Sequence, residues 1–256
     1  MRVAISKAEI ESTMAARFGD AFKHHEAKSA EVIATGVAQI DSLAGGGLPR
    51  GAITELFGPA SSGRTSFLLL TLAAATNHDE VCALVDMNNT LDPESAGRAN
   101  VNLDRLLWIR CDNNLEHAFK ATDLLLQGGG FGIVMLDLGD LSAKAARRII
   151  SSWWFRFRRV VENSPTVLLV ITQDWSVRSC AALSLEMKNE AVVWAQVNQD
   201  LRKQNASLVN LSTRSKTTAP FLVTQGRLLQ SLTMLVERHR PLNPTVRQTT
   251  LQVTAQ

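Results

Sequence analysis

The sequence is poor in cysteine and has no apolar run long enough to cross a membrane. Its three cysteines, Cys82, Cys111 and Cys180, are widely spaced and include no CxxC pair. A sparse, odd set of cysteines is typical of a reducing compartment and gives no metal-binding signature. The first residues, MRVAISKAEIESTM, lack the apolar core of a signal peptide. We therefore expect a cytoplasmic protein that has no membrane partner.

Tyrosine is absent, and the charge balance is only slightly basic. Of the 256 residues, 45% are hydrophobic and 20% are charged, with a net charge of +3. This composition predicts a large core and argues against disorder. The length fits a single α/β domain with a short extension. The charge permits a nucleic-acid partner without requiring one.

The N-terminal part, residues 1–34, reads as a helix and a short strand. Apolar residues recur every four positions between residues 6 and 23, at Ile10, Met14, Phe18 and Phe22. Residues 32–34 predict a short strand. Such a helix packs either on its own domain or on a neighbouring subunit, so we expect residues 1–34 to serve oligomerisation or partner docking.

From residue 50 onward, short apolar strands alternate with helices. Strands are predicted at 53–57, 81–86, 106–109, 133–137 and 167–172, with helices at 66–76, 115–127 and 142–161. This alternation predicts an α/β fold with a mostly parallel sheet flanked by helices. Weaker strand patterns at 221–223, 232–237 and 249–254 predict antiparallel strands near the C-terminus. We assign residues 35–256 to one core, with no separate C-terminal domain.

Residues 58–65, GPASSGRT, match the phosphate-loop pattern GxxxxG[K/R]T between a predicted strand and a predicted helix. Backbone N–H groups and the helix N-terminus would bind phosphate there. The candidate nucleotide contacts are Gly58, Pro59, Ser61, Ser62, Gly63, Arg64, Thr65 and Ser66. The Thr65 hydroxyl would ligate Mg²⁺, assisted by Ser66. Arg64 stands where lysine is expected; it keeps the charge but is longer and planar. The alternative is a glycine-rich turn without a ligand.

Two polar residues follow later strands at the same predicted sheet edge. Asp137 ends the strand at 133–137 and would hold Mg²⁺ through water. Its alternative is an aspartate that starts the next loop. Gln173 follows the strand at 167–172, where open α/β sheets bind ligands. It is a candidate gate for the γ-phosphate or, equally, a loop-capping amide.

The predicted helix at 142–161 is strongly basic. Its basic residues are Lys144, Arg147, Arg148, Arg156, Arg158 and Arg159. Its predicted core-facing stripe consists of Ala146, Ile150, Trp153, Phe157 and Val160. Phe155 lies opposite this stripe. An aromatic residue among arginines suggests a surface for nucleic acid or a protein partner. The alternative is a solvated basic face with Phe155 covered by a loop.

Together, these motifs resemble the bacterial recombinase A (RecA) family over nearly the whole chain. The resemblance is carried by TGVAQIDSLAGGGLPRG at 35–51, GPASSGRTS at 58–66, CALVDMNNTLDP at 82–93, VMLD at 134–137 and VITQ at 170–173. It implies the family's RecA-like P-loop NTPase core fold with ATP and Mg²⁺ as cofactors. It also implies that the N-terminal helix docks on the next subunit, in a homo-oligomer or a RecA filament.

Several functional positions of the family differ in this chain. The catalytic glutamate position is Asn88, and the adenine-stacking tyrosine position is Ser95. Asparagine cannot accept a proton at neutral pH, and a general base contributes about 10²–10⁴-fold to a rate. Asp92 remains and could bond the adenine amine. The basic pair that the family extends across the subunit boundary corresponds to Arg238 and Arg240, or else these residues are a solvated strand face.

The DNA-contacting parts depart as well. The family's first DNA-binding loop is missing between 137 and the next strand, and the second, at 174–189, lacks its glycine-rich tract. The chain thus resembles the shortened ImuA-like branch. That branch implies damage-induced mutagenesis with a Y-family polymerase-like accessory protein and an error-prone polymerase. We expect a nucleotide-binding accessory protein in DNA damage response, repair and translesion synthesis, with weak or no ATP hydrolysis. The alternatives are a DNA-dependent ATPase that binds single-stranded DNA in homologous recombination, and an adaptor that binds no nucleotide.

Overall fold

A computed structural model of the chain describes residues 31–139, 141, 146, 149–196, 227–241 and 247–254. The predicted helix at 6–23 and the predicted strand at 221–223 lie outside the described residues, as do Lys144, Arg147 and Arg148. The chain from Val32 onward forms one compact unit. This unit includes the short strand at 32–33, which pairs with residues 48–49.

The described elements follow the order expected for alternating strands and helices. The strands are β1 (Val32–Ile33), β2 (Leu48–Pro49), β3 (Ala52–Phe57), β4 (Cys82–Asp86), β5 (Leu106–Arg110), β6 (Ile133–Asp137), β7 (Val167–Thr172), β8 (Leu183–Gln196), β9 (Arg227–Arg240) and β10 (Gln248–Thr254). The helices are α1 (Ala38–Ala44), α2 (Arg64–Asn77), α3 (Pro93–Arg98), α4 (Leu115–Gly128) and α5 (Ser151–Val161). Short 3₁₀ turns occur at Leu103–Arg105 and Arg178–Cys180.

Eight strands form one sheet in the order β10-β9-β8-β3-β7-β6-β4-β5. From β8 to β5 the neighbouring strands run parallel. Strands β9 and β10 extend the sheet in antiparallel fashion. The predicted α/β fold is confirmed. The carboxyl ends of β3, β4, β6 and β7 meet at one edge, where open α/β sheets bind ligands.

Alternate residues of the buried strands pack into two cores, one on each face of the sheet. Leu84 lies in one core with Phe67 of α2. Its neighbour Val85 lies in the other, with Phe119 of α4 and Phe157 of α5. Burial on both faces explains why the parallel strands are nearly all apolar. No helix among the described residues is long and apolar enough to cross a bilayer.

The single helix predicted at 142–161 is wrong, because the chain is extended at Ile150 (φ −74°, ψ 126°) and α5 begins at Ser151. Two β-branched residues followed by two serines have low helix propensity, which accounts for the break. The core-facing side of the helix also differs from the predicted stripe of Ala146, Ile150, Trp153, Phe157 and Val160. Trp154, Phe157 and Val161 are buried, whereas Ile150 is exposed.

The second loop, predicted at 174–189, is shorter than expected. Only residues 173–182 form a loop, and β8 begins at Leu183. The segment LSLEMK alternates apolar and polar residues, and its apolar members Leu183, Leu185 and Met187 are buried. That period of two is the pattern of a strand with two different faces.

Candidate nucleotide-binding site

The phosphate loop joins β3 to α2, and its backbone has the form of an anion-binding turn. Ser61 (φ 62°) and Gly63 (φ 94°) both adopt the left-handed conformation. Such turns present successive N–H groups to an anion. The first N–H groups of α2 lack intrahelical partners, and its 14 residues place a partial positive charge at this end. Pro59 and Thr65 are exposed at the loop, whereas Ser62 is buried.

Two glycines allow β8 and β9 to pack against this loop. A Cβ on Gly58 would lie 2.2 Å from the Met187 carbonyl oxygen. A Cβ on Gly63 would lie 1.7 Å from the sulfur of Met234. At residue 58 only glycine avoids a clash with the backbone of β8, whereas at residue 63 any larger residue would force the Met234 side chain to move. The loop backbone is therefore supported from the side by strands that follow it by more than 100 residues in sequence.

The side chain of Arg64 lies along the carboxyl edge of the sheet. Its Nη1 donates to the Gly139 carbonyl oxygen at 3.0 Å and to the Thr172 carbonyl oxygen at 2.9 Å. Thr172 ends β7, and Gly139 lies two residues beyond β6. Arg64 is only 8% exposed. It therefore ties together the loops that follow two central strands.

Four of the predicted site residues line one small cavity of about 70 Å³. They are Arg64, Thr65, Asn88 and Asp137. The Asn88 amide donates to Asn113 Oδ1 at 2.6 Å. Asp137 Oδ1 accepts the Gly139 N–H at 2.8 Å.

Two further predicted contacts lie beside this cavity. Ser66 is half-buried in the first turn of α2, and Gln173 is half-buried one residue beyond β7. The fold thus brings the sequence-predicted residues to one edge of the sheet.

Asp92 and Ser95 act together at the start of α3. Asp92 caps this helix and accepts hydrogen bonds from the Ser95 N–H at 3.0 Å and the Ser95 hydroxyl at 2.5 Å. The hydroxyl bond is the main cause that lowers the pKa of Asp92. The carboxylate predicted to bond adenine therefore already has a role in capping a helix.

Asp86, at the end of β4, organises the segment that leads to Asp92. It is buried and accepts hydrogen bonds from the Thr90 and Leu91 N–H groups at 3.1 and 3.0 Å. It also accepts one from the Trp108 indole at 3.1 Å. This carboxylate supports the backbone and lies outside the cavity lining.

Glu55 was not singled out from the sequence, although a carboxylate within an apolar strand is unusual. It lies in β3, three residues before Gly58, and is fully buried. Its Oε1 accepts the Ser176 and Val177 N–H groups at 2.6 and 2.8 Å. Burial raises the pKa of Glu55, although these backbone bonds oppose the rise. Glu55 fixes the loop after β7 to the strand that carries the phosphate loop.

Arg238 and Arg240, the predicted basic pair, both contact carbonyl groups of their own chain. Arg238 is 8% exposed and donates to the Leu43 carbonyl oxygen at 2.7 Å. Arg240 donates to the Arg178 carbonyl oxygen at 3.1 Å. Arg238 therefore contacts helix α1 and Arg240 the 3₁₀ turn before β8, both in the same chain, and neither strand residue is fully solvated.

The arginines of α5 are less available than the sequence suggests. Arg156 forms a bidentate pair with Asp123 of α4, with both N–O distances at 2.6 Å. Arg158 pairs with Glu162 at 2.7 Å. Arg159 is exposed, and Phe155 is 58% exposed, as predicted for the face opposite the core.

The residues present suit a phosphate group better than a magnesium ion. A Cβ on Gly139 would lie 2.9 Å from Arg64 Nη1 and 2.9 Å from Asp137 Oδ1, so both charged groups border the same gap. A cation bound to Asp137 would therefore lie next to a fixed positive charge. The predicted ligands Thr65 and Asp137 would supply one hydroxyl and one carboxylate, so Mg²⁺ would need its remaining oxygens from water and phosphate.

Comparison with known proteins identifies the family. Residues 4–148 match the family model described as the RecA N-terminal domain, which is more than half of the chain. Protein RecA of Pseudomonas putida is 32% identical over 172 residues, and that of Pseudomonas fluorescens (strain SBW25) is 31% identical. Each match covers 61% of this chain and 47% of the relative, so the chain spans about half the length of these relatives. The chain belongs to the RecA family.

Proposed function

We propose that this chain is a RecA-like nucleotide-binding accessory protein that hydrolyses ATP weakly or not at all. Its role would lie in the DNA damage response, DNA repair and error-prone translesion synthesis. The observation that carries the proposal is an intact phosphate loop that shares its cavity with Asn88. Membership in the RecA family supports the repair role, and the resemblance to the ImuA-like branch supports the translesion role.

The chemistry of Asn88 argues against rapid hydrolysis. Its amide donates to Asn113 and cannot accept a proton from water at neutral pH. A missing general base lowers a rate by about 10²–10⁴-fold. Phosphate binding does not depend on this residue, because it uses the backbone of the loop and the N-terminus of α2.

Calorimetry on the full chain with ATP and with a non-hydrolysable analogue tests this proposal. We expect both nucleotides to bind with similar Kd values. Phosphate release in the presence of single-stranded DNA should fall far below that of a RecA protein assayed alongside. Turnover at a rate equal to that protein's would contradict the proposal. Absence of any nucleotide binding would favour the adaptor function instead.

A groove beside the loop after β7 favours a second candidate function, the binding of single-stranded DNA. Trp154, Trp175 and Arg178 are among the residues that line this groove, whose volume is about 550 Å³. Trp175 is exposed, and exposed aromatic residues near arginine can stack on bases. Titration with a thymidine oligonucleotide, followed by tryptophan fluorescence, tests it. Salt-sensitive binding would support a DNA-dependent role, and no binding with or without ATP would exclude it.

The exposed face of α5 is our candidate surface for a protein partner. Arg156 and Arg158 are paired with acidic residues of the same chain, so this face carries less net positive charge than its arginines suggest. A weaker positive charge favours a protein partner over nucleic acid. The proposed partners are a Y-family polymerase-like accessory protein and an error-prone polymerase. Sedimentation of the full chain with each purified partner tests this. Phe155→Ala should weaken the complex, and an unchanged Kd would move the partner site elsewhere, for example to residues 1–34.

A further inference from the structure

The positive charge of Arg64 is fixed in place. Two hydrogen bonds from one nitrogen, to Gly139 and Thr172, hold the guanidinium against the carboxyl edge of the sheet. The side chain is nearly buried, so it has little freedom to leave. An arginine side chain also stays charged in proteins, unlike a lysine, which loses its proton when buried. The edge of the sheet therefore carries a permanent, immobile cation.

This fixed charge lies beside the carboxylate that would be needed for a metal ion. Arg64 Nη1 and Asp137 Oδ1 are each 2.9 Å from the point where a Cβ of Gly139 would be. Asp137 Oδ1 is also hydrogen-bonded to the Gly139 N–H. A divalent cation bound to Asp137 would lie beside the guanidinium and would be repelled by it.

We propose that Arg64 takes the place of the divalent cation, so that this site binds the phosphates of a nucleotide in their metal-free form. The inference rests on the nucleotide binding proposed above. A guanidinium supplies positive charge to phosphate oxygens directly. In the usual site of this kind, a lysine and Mg²⁺ share that task. Here the arginine at the lysine position of the loop lies beside the Asp137 carboxylate, the residue predicted to hold the metal.

Calorimetry of ATP and ADP binding to the full chain, in EDTA and in excess Mg²⁺, tests this inference. For the wild type, we expect the Kd in EDTA to be no more than about threefold weaker than in Mg²⁺, a difference of about 0.7 kcal/mol. Arg64→Lys shortens the side chain and removes the guanidinium from the carbonyl groups of Gly139 and Thr172. In that variant, Mg²⁺ should strengthen ATP binding by about tenfold or more. Electron paramagnetic resonance with Mn²⁺ and ATP should detect protein-bound metal in the variant and none in the wild type.

Two further variants control for folding and for general effects of arginine replacement. Arg64→Gln keeps an amide donor for the carbonyl groups but removes the charge, so it should also gain dependence on Mg²⁺. Arg105 is a matched control, because it likewise donates to a backbone carbonyl, that of Asp79 at 2.7 Å. It precedes β5, at the opposite edge of the sheet. Arg105→Lys should bind nucleotide like the wild type, with and without metal. Thermal unfolding checks that every variant is folded.

The outcomes separate this inference from the proposed function. If wild-type binding requires Mg²⁺, the metal-free site is wrong while nucleotide binding stands. If the wild type and both Arg64 variants are equally insensitive to Mg²⁺, Arg64 is not the cause and the inference fails. If no nucleotide binds under either condition, both proposals fail together.

Discussion

At the scale of single residues, Glu55 illustrates how a buried charge couples two functional segments. It holds the loop after β7 through two backbone N–H groups and lies on the strand that leads into the phosphate loop. Burial raises its pKa. The folded protein therefore binds this proton more tightly than the unfolded chain does. The contribution of Glu55 to stability is complete below the unfolded pKa, near 4.3, and is lost as the pH rises through the folded value.

Replacing Glu55 by glutamine, which does not titrate, should remove the loss of stability that Glu55 causes as the pH rises. We expect the free energy of unfolding of Glu55→Gln, relative to the wild type, to increase as the pH rises from 4 to 8. The slope is at most about 1.4 kcal/mol per pH unit, because one proton is involved. Urea unfolding across this range measures the difference. Glu116→Gln is a control: the hydrogen bond and charge of Lys120 lower the pKa of the exposed Glu116, so its contribution changes only at acidic pH and its difference from the wild type should stay flat from about pH 5 to 8. Parallel curves for Glu55→Gln and the wild type would contradict the prediction.

The contact between Gly63 and Met234 predicts a coupled pair of substitutions. Gly63→Ala should destabilise the protein by about 1–3 kcal/mol from its left-handed backbone alone. The clash with the sulfur of Met234 adds to this cost. Met234→Ala makes room for the new Cβ. The double variant should therefore lose about 0.5–3 kcal/mol less unfolding free energy than the sum of the losses of the two single variants. A double-mutant cycle by urea unfolding measures the coupling, and strict additivity would mean that the loop moves away from β9.

At the scale of elements, the sequence was sufficient where a segment is buried on both faces. Strands such as β4, β6 and β7 are short apolar runs between polar residues, and the sequence predicts their existence and bounds correctly. The errors fall on segments with two different faces. The resemblance to the family's second loop predicts a loop through residue 189, whereas β8 already begins at Leu183. The start of α5 was misplaced because local propensity at Ile150 competes with the helical period.

The corrected register of α5 makes a direct prediction about neighbouring residues. Trp154 is 4% exposed and packs against Phe119, with ring centroids 5.2 Å apart, whereas Phe155 is mostly exposed. Trp154→Ala should therefore cost about 3–5 kcal/mol of unfolding free energy. Phe155→Ala should change it by no more than about 0.5 kcal/mol. Chemical unfolding of both variants checks this, and similar losses would show that the stripe has been assigned to the wrong face.

At the scale of the whole molecule, the position of the site follows from the topology. A phosphate loop after β3 and polar residues after β6 and β7 must meet at one edge, because parallel strands end together. The direction of each side chain does not follow from that rule. Arg64 lies along the edge because carbonyl groups of two other loops accept its hydrogen bonds, and Arg238 is buried because α1 offers the carbonyl of Leu43. Those partners are 75 or more residues away in sequence and carry no local signal.

The same site predicts how hydrolysis could be recovered. Asn88→Glu restores a carboxylate at the cavity, and Arg64→Lys removes the guanidinium beside Asp137. We expect the double variant to release phosphate from ATP at least about tenfold faster than the wild type, since a general base contributes about 10²–10⁴-fold when it is well placed. Steady-state phosphate release with Mg²⁺ measures this rate. Asn88→Gln with Arg64→Lys is the matched control, because it has the same side-chain length without a proton acceptor, and its rate should stay at the wild-type level. Equal rates for the two double variants would mean that residue 88 lies too far from the attacking water to act as a base.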